Sequence, residues 1–326
     1  MPENAPPAKN PKITLLDADT LGDADLAPLC LAGELTAFPI SAPGEVGERL
    51  RGADCAVANK AIVGAEALAQ APDLRLIAVA ATGVNNIDLK AAAERGVAVC
   101  NVAGYSTDSV AQHAIALLLM LATNAHRFAA EPRRWAESPF FTRFDFPAIE
   151  LAGKTFGIVG CGAIGQRAGA AAEALGMRVA CLGRAGSAAA ARPDWPRLET
   201  ADFFAACDAV SLHCPMTESN AGMIGEAALG QMKRTAFLVN TARGGLVDEA
   251  ALVKALRSGQ IGGAALDTIS TEPPPADHPL LDPTIPNLIL TPHTAWSPAE
   301  SRARLVAEVA ENIRRYFAGE PRNRVG

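Results

Sequence analysis

The chain has 326 residues, 49% of them hydrophobic and 20% charged, with a formal net charge of -6. At about 150 residues per domain this length predicts two domains, and the acidic balance leaves no broad basic surface to displace counterions from a nucleic-acid backbone. No segment reaches the ~18 consecutive apolar residues of a membrane-spanning helix, and the seven cysteines stand apart without metal or redox spacing, so nucleic acid, membrane and metal are not expected.

The leader MPENAPPAKNPK is polar and proline-rich, without a basic region followed by an apolar core, so a loosely ordered segment and a reducing cytoplasm are expected. The cysteines then read as small buried hydrophobes. From Lys12 the short β-rich runs KITLLDA, ELTAF, DCAVANK, LRLIAVAATG and VAVCNVAG alternate with helix-length segments. That alternation predicts parallel strands with crossover helices, in a first α/β lobe ending near Asn101.

The stretch YSTDSVAQHAIALLLMLATNAHR predicts one long helix with Ser106, Thr107 or Asp108 as its N-cap. Between Phe128 and Ile149 the aromatics concentrate, with Trp135, Phe140, Phe141, Phe144 and Phe146, a composition typical of an interface arm. A second alternating series follows: KTFGIVGCG, MRVACLG, DAVSLHCP, AFLVNTA, GGAALDT and NLILTPH. The final stretch, SPAESRARLVAEVAENIRRYFAG, predicts a helix capped by Ser297, stopped by Gly319 and returning to the first lobe. The expected division is residues 1-101 with 295-326 as one discontinuous domain and 102-294 as the other.

Gly160, Gly162 and Gly165 form G-x-G-x-x-G between the strand KTFGIV and a helix opening near Ala163 and Ile164. The first glycine permits the tight turn, the second lets backbone approach a pyrophosphate, and the third lets helix and strand pack closely. The helix N-terminus then favours the negative charge, so a dinucleotide site is expected here. An NAD site calls for a carboxylate at the end of the second strand, to bind the ribose 2′-hydroxyl. Gly183 stands there instead, with Arg184 next to it and Ser187 close behind, and NADP(H) is therefore favoured over NAD(H).

Three polar residues follow the ends of later apolar runs: Arg243 in LVNTARGG, Glu272 in AALDTISTEPP and His293 in LILTPHTAW. A planar guanidinium can grip a carboxylate while meeting the adjacent carbonyl oxygen. A carboxylate beside an imidazole orients it and favours the imidazolium, a proton donor for that oxygen. Together with an upstream hydride site, these residues point to a dehydrogenase acting on 2-oxo and 2-hydroxy acids. Of the other histidines, His113 and His126 read as packing or surface residues, His213 as a residue at the cofactor's edge, and His278 as solvated. No cluster has metal-ligand spacing.

The blocks GIVGCGAIGQ, HCPMTESNAGMI, LVNTARGGLVDEAAL, AALDTISTEPP and LTPHTAW resemble those of the D-isomer-specific 2-hydroxyacid dehydrogenase family, from about Lys12 to the final helix. The resemblance implies two doubly wound parallel-sheet domains, with a Rossmann cofactor domain inserted into a flavodoxin-like substrate domain. It implies that Arg243 binds and polarises the substrate, that His293 is the acid/base and that Glu272 supports it. The cofactor set it implies comprises Thr107, the Gly160 to Gly165 turn, His213, Cys214, Pro215, Thr241, Ala242 and Asp267. Within the family AATGVNNIDL, TDSVAQ, FFTRFDFPAIEL and HTAW most resemble glycerate dehydrogenases, also called hydroxypyruvate reductases. The backbone at Thr82 and Gly83 would then meet the substrate carboxylate, Lys60 would face the pocket, and the chain would form a homodimer. The expected reaction is reduction of hydroxypyruvate to D-glycerate and of glyoxylate to glycolate. The alternatives are a dehydrogenase for a bulkier acid such as phenylpyruvate, or a non-catalytic dinucleotide-sensing co-repressor on the same fold.

Overall fold

A computed structural model describes residues 10-183, 192 and 194-325, which leaves Arg184 and Ser187 outside the described residues. The chain divides into two compact units, Met1–Ser106 with Ser297–Gly326, and Thr107–Trp296.

In the first unit β1 (Lys12–Leu15), β2 (Glu34–Ala37), β3 (Cys55–Ala58), β4 (Leu76–Val79) and β5 (Ala98–Cys100) form a sheet in the order β2-β1-β3-β4-β5. All of its pairings are parallel. This is the flavodoxin-like order. Crossovers run through α1 (Ala27–Ala32), α2 (Pro43–Arg49), α3 (Ala65–Ala69) and α4 (Leu89–Glu94). The central strands β3 and β4 are buried at every residue, because a parallel sheet is covered on both faces.

The C-terminal helix, Ala299–Phe317, belongs to this unit and buries Leu305, Val306, Val309, Ala310, Ile313 and Phe317, a stripe at helical spacing. Each large side chain in it contributes about 1.5 to 3 kcal/mol by leaving water. Two hydrogen bonds fix its register: Tyr316 Oη donates to the Arg75 carbonyl at 2.9 Å, and Asn312 Nδ2 to the Asn101 carbonyl at 2.9 Å. The N-cap is Pro298, with no side-chain cap bond, rather than the expected Ser297. Proline needs no partner for an N–H it lacks, so the start is tolerated. Gly319 ends the helix at φ 82°, as expected.

The second unit opens with α5 (Thr107–Thr123) and α6 (Ala125–Ala130). The single long helix expected from the sequence is thus broken. Asn124 adopts left-handed φ 52° and donates its side-chain amide to the Pro147 carbonyl at 2.7 Å, which turns the chain. The arm that follows exposes Trp135, Phe141 and Phe144 at 62%, 88% and 80% of their surface. Trp135 Nε1 nonetheless donates to the Phe141 carbonyl at 2.9 Å, so the arm has internal order.

Then come β6 (Thr155–Val159), α7 (Ala163–Ala174), β7 (Arg178–Leu182), β8 (Arg197–Leu198), α8 (Thr200–Ala206), β9 (Ala209–Leu212) and α9 (Glu226–Gln231). The unit finishes with β10 (Phe237–Asn240), α10 (Glu249–Arg257), β11 (Gly263–Leu266) and β12 (Leu288–Leu290). The sheet order is β12-β11-β10-β9-β6-β7-β8, with all pairings parallel. Counted from β6 this is the doubly wound dinucleotide order with one further strand, and its direction switches between β6 and β9. Ligands of such sheets sit at the carboxyl ends of the strands, beside that switch. Cys55, Cys100, Cys181 and Cys207 are buried free thiols, but Cys30 is exposed and Cys161 and Cys214 are partly so, which corrects the expectation for those three.

Candidate active site

The glycine turn sits at the end of β6. Gly160 has φ 95°, and a Cβ on it would lie 2.6 Å from the Cys214 nitrogen, so no side chain fits. A Cβ on Gly165 would lie 2.4 Å from the Gly160 carbonyl oxygen, which is the close helix-strand approach expected of the third glycine. Gly162 faces open space and is the N-cap of α7, so the N–H groups of Ala163 and Ile164 at the start of that helix are open to a ligand. These residues fit a pyrophosphate. His213 and Cys214, which follow β9, border the turn, with Pro215 next in the chain, and the His213 N–H donates to the Val159 carbonyl at 2.7 Å. Burial pushes the His213 imidazole down to about 4, so the ring is neutral, with Nε2 2.9 Å from Ser211 Oγ. Thr107 opens α5, and its neighbour Asp108 accepts a bond from Arg167 Nε of α7 at 2.7 Å, which draws that end of α5 to the turn helix.

Arg243, Glu272 and His293 follow the neighbouring strands β10, β11 and β12. The buried Asn240 shapes the first of these loops, accepting from the Ala242 N–H at 3.0 Å and donating to the Arg243 carbonyl at 2.9 Å. Gly244 packs against the backbone of Ile269 so tightly that a Cβ would lie 1.9 Å from its carbonyl carbon, which brings the Arg243 loop against the Glu272 loop. Glu272 is held at both oxygens. Oε1 accepts from the Ile269 N–H at 3.0 Å, and Oε2 accepts from His293 Nδ1 at 2.6 Å. His293 adopts left-handed φ 53°, and its N–H donates to the carbonyls of Asp267 and Thr291, both at 2.9 Å. With Nδ1 engaged, Nε2 is the nitrogen left for proton transfer. Arg243, Glu272 and His293 line one cavity of about 170 Å³, together with Met216, Gly244 and Gly245.

Residues 115–295 match the family model described as "D-isomer specific 2-hydroxyacid dehydrogenase, NAD binding domain". The chain is 40% identical to a glycerate dehydrogenase of Methylorubrum extorquens, over 96% of this chain and 98% of that one. It is 36% identical to a hydroxypyruvate reductase of Blautia hydrogenotrophica, over 96% and 98% of the two chains. A solved structure from Thermus thermophilus superposes with a TM-score of 0.86 at 32% identity, covering 97% of this chain and all of that one. The chain belongs to the D-isomer-specific 2-hydroxyacid dehydrogenase family. It is an oxidoreductase of that family, and its NAD-binding domain takes a nicotinamide dinucleotide.

In this 2-hydroxyacid dehydrogenase Asp267 is buried and multiply bonded. It accepts from Thr291 Oγ1 at 2.6 Å and from the N–H groups of Thr294 and Ala295, each at 2.9 Å, and lies 3.3 Å from His113 Nε2. Burial alone would raise its pKa, but hydrogen bonds from His113, Thr291 and these backbone groups outweigh that and hold the carboxyl below the usual range. His113 is therefore more than a packing residue. It ties α5 to the loop after β12 through Thr291, at 3.0 Å. Thr241 is also buried, with its hydroxyl unpartnered among the described residues.

His278 corrects another expectation. It is 8% exposed rather than solvated, accepts from the Leu280 N–H at 3.3 Å and lies 3.4 Å from Glu249 Oε2. Glu249 in turn accepts from the Ser270 N–H at 2.7 Å and hydroxyl at 2.9 Å, which anchors the loop bearing Glu272. No local pattern marked these residues, since Glu249 is 21 positions from its serine.

Lys60, Thr82 and Gly83, assigned to the substrate along with Arg243 and His293, lie in the first unit, and two of its side chains shape their loops. Asp17, 2% exposed, accepts from the N–H groups of Asn59, Lys60 and Ala61 at 2.5 to 3.1 Å and folds the loop after β3 that carries the exposed Lys60. Asn86 Nδ2 joins that loop at the Ala61 carbonyl, at 2.9 Å. Thr82 and Gly83 follow the neighbouring strand β4. The Thr82 hydroxyl donates to the Val102 carbonyl at 2.9 Å and the Thr82 carbonyl accepts from Asn101 Nδ2 at 2.7 Å, so its N–H is the group that remains for a ligand.

Proposed function

We propose that this 2-hydroxyacid dehydrogenase reduces a small 2-oxo acid to the D-2-hydroxy acid, hydroxypyruvate to D-glycerate and glyoxylate to glycolate, and favours NADP(H). The observation that carries the reading is the 2.6 Å contact between Glu272 and His293 on the same cavity as Arg243. A nicotinamide dinucleotide supplies the hydride when bound, and the chain's own groups do the rest.

Arg243 grips the substrate carboxylate with its fork and directs one N–H to the neighbouring carbonyl oxygen, drawing electron density from C2. Protonated His293 donates from Nε2 to that oxygen as it becomes a hydroxyl. Glu272 steadies the ring by its Nδ1–H, which leaves Nε2 aimed for the transfer. Thr82, Gly83 and Lys60 are assigned to the substrate, and Thr107, His213 to Pro215, Thr241, Ala242 and Asp267 to the cofactor. The names of the glycerate dehydrogenase and hydroxypyruvate reductase relatives support a small acid.

Preference for NADP(H) rests on the missing acid at Gly183 and on Arg184 and Ser187 beside it in sequence. The exposed Trp135, Phe141 and Phe144 support a homodimer, and the free thiols support a cytoplasmic setting. A steady-state panel tests the whole reading by crossing NADPH and NADH with hydroxypyruvate, glyoxylate and phenylpyruvate. The highest kcat/KM is expected for a small acid with NADPH. Faster turnover of phenylpyruvate overturns the substrate, faster turnover with NADH overturns the cofactor preference, and no turnover overturns the enzyme.

A further inference from the structure

The place that lacks its acid is not without one. Gly183 directly follows β7, and its N–H donates to the Leu198 carbonyl of β8 at 2.7 Å. The two strands run parallel with Leu182 opposite Leu198, so residue 199 emerges beside residue 183. A Cβ on Gly183 would stand 3.0 Å from the Leu198 carbonyl oxygen and 3.5 Å from Glu199 Oε1. A carboxylate borne by residue 183 would therefore crowd the β8 backbone and compete with Glu199 for the same space. The glycine leaves that space to a carboxylate from the next strand.

We infer that Glu199 stands in for the missing strand-end acid, accepting the ribose 2′-hydroxyl of NAD(H) and opposing the 2′-phosphate of NADP(H). This rests on the reading of the glycine turn as the dinucleotide site, and it weakens the sequence argument for NADP(H) by supplying the acid that Gly183 lacks. Glu199 is the N-cap residue of α8, yet its side chain makes no cap bond. It is exposed, and its carboxylate makes no hydrogen bond or ion pair with any described residue. The group is thus available to a ligand. A hydroxyl donates well to a carboxylate, whereas a phosphate carrying close to two negative charges is repelled by it. Glu199 would then restrain the preference for NADPH and keep NADH as a working cofactor.

The test is Glu199→Gln in the full chain, which keeps the shape and removes the charge, with Glu199→Ala as the second variant. Dissociation constants for NADH and NADPH are measured by nucleotide fluorescence titration, without substrate, alongside kcat/KM for hydroxypyruvate with each. Both variants should shift the binding ratio toward NADPH by about tenfold, with NADH weakened and NADPH tightened, as expected for one charge-assisted hydrogen bond lost and one repulsion relieved. Melting temperatures should not move, because the side chain is exposed. A ratio within twofold of the wild type in both variants overturns the inference. If the wild type binds nucleotide but turns over no oxo acid, the reading of the reacting centre fails, while the two titrations still decide Glu199.

Discussion

Replacing Glu272 by glutamine probes the centre of the proposed chemistry. Its carboxylate accepts two bonds at once, from the Ile269 N–H at 3.0 Å and from His293 Nδ1 at 2.6 Å. An amide has only one acceptor oxygen, so Glu272→Gln must turn its NH₂ either against the Ile269 N–H or toward His293 Nδ1, where it meets a donor or fixes the wrong tautomer. Whichever it keeps, the charge is gone. A hydrogen bond to a charged group contributes about 1.5 to 3 kcal/mol, so kcat/KM for hydroxypyruvate should fall by about 10- to 100-fold at neutral pH. Nucleotide affinity should stay within about twofold, since the glycine turn is at the end of a different strand. Stability should change little, because the Glu272 side chain is 34% exposed. Stopped-flow reduction at saturating nucleotide, paired with a nucleotide titration, separates these quantities. A variant with wild-type turnover would refute the role given to the pair.

Arg243→Lys keeps a cation but loses the planar fork, so KM for the oxo acid should rise and kcat/KM should fall by at least about 100-fold; near-wild-type kinetics would exclude the carboxylate clamp. Gly160→Ala places a Cβ 2.6 Å from the Cys214 nitrogen at φ 95° and should weaken binding of both nucleotides by more than about tenfold, read by fluorescence titration. His213 is pushed down from 6.5 to about 4 by burial, so the unfolded chain takes up its proton first as pH falls below 6.5. Stability is lost through that window, by on the order of 2 kcal/mol at pH 5, and His213→Asn should flatten the decline in melting temperature between pH 7 and 5. Phe141→Ser with Phe144→Ser removes two large exposed rings and should leave a monomer in sedimentation analysis; an unchanged mass would clear the arm of a role in assembly.

The features that were legible in the sequence are those carried by contiguous residues. The strand, turn and helix around Gly160, Gly162 and Gly165 follow one another, so steric demand at each glycine could be read in order. The alternation of short apolar runs with helical segments was equally local and led to both parallel sheets. Arg243, Glu272 and His293 could be placed at strand ends one at a time, because each follows its own apolar run.

Their convergence was decided by strand order, which sets β10, β11 and β12 side by side and lets the 2.6 Å contact form. Tertiary packing also buried His278 despite its polar, proline-rich surroundings, and it joined His113 to Thr291 across 178 positions. The two-residue strand β8 is too short to show a period, so the carboxylate of Glu199 beside Gly183 left no trace in the pattern. Local sterics and periodicity act over a few residues and are written along the chain. Pairing between distant side chains depends on which strands become neighbours, and only the folded sheet specifies that.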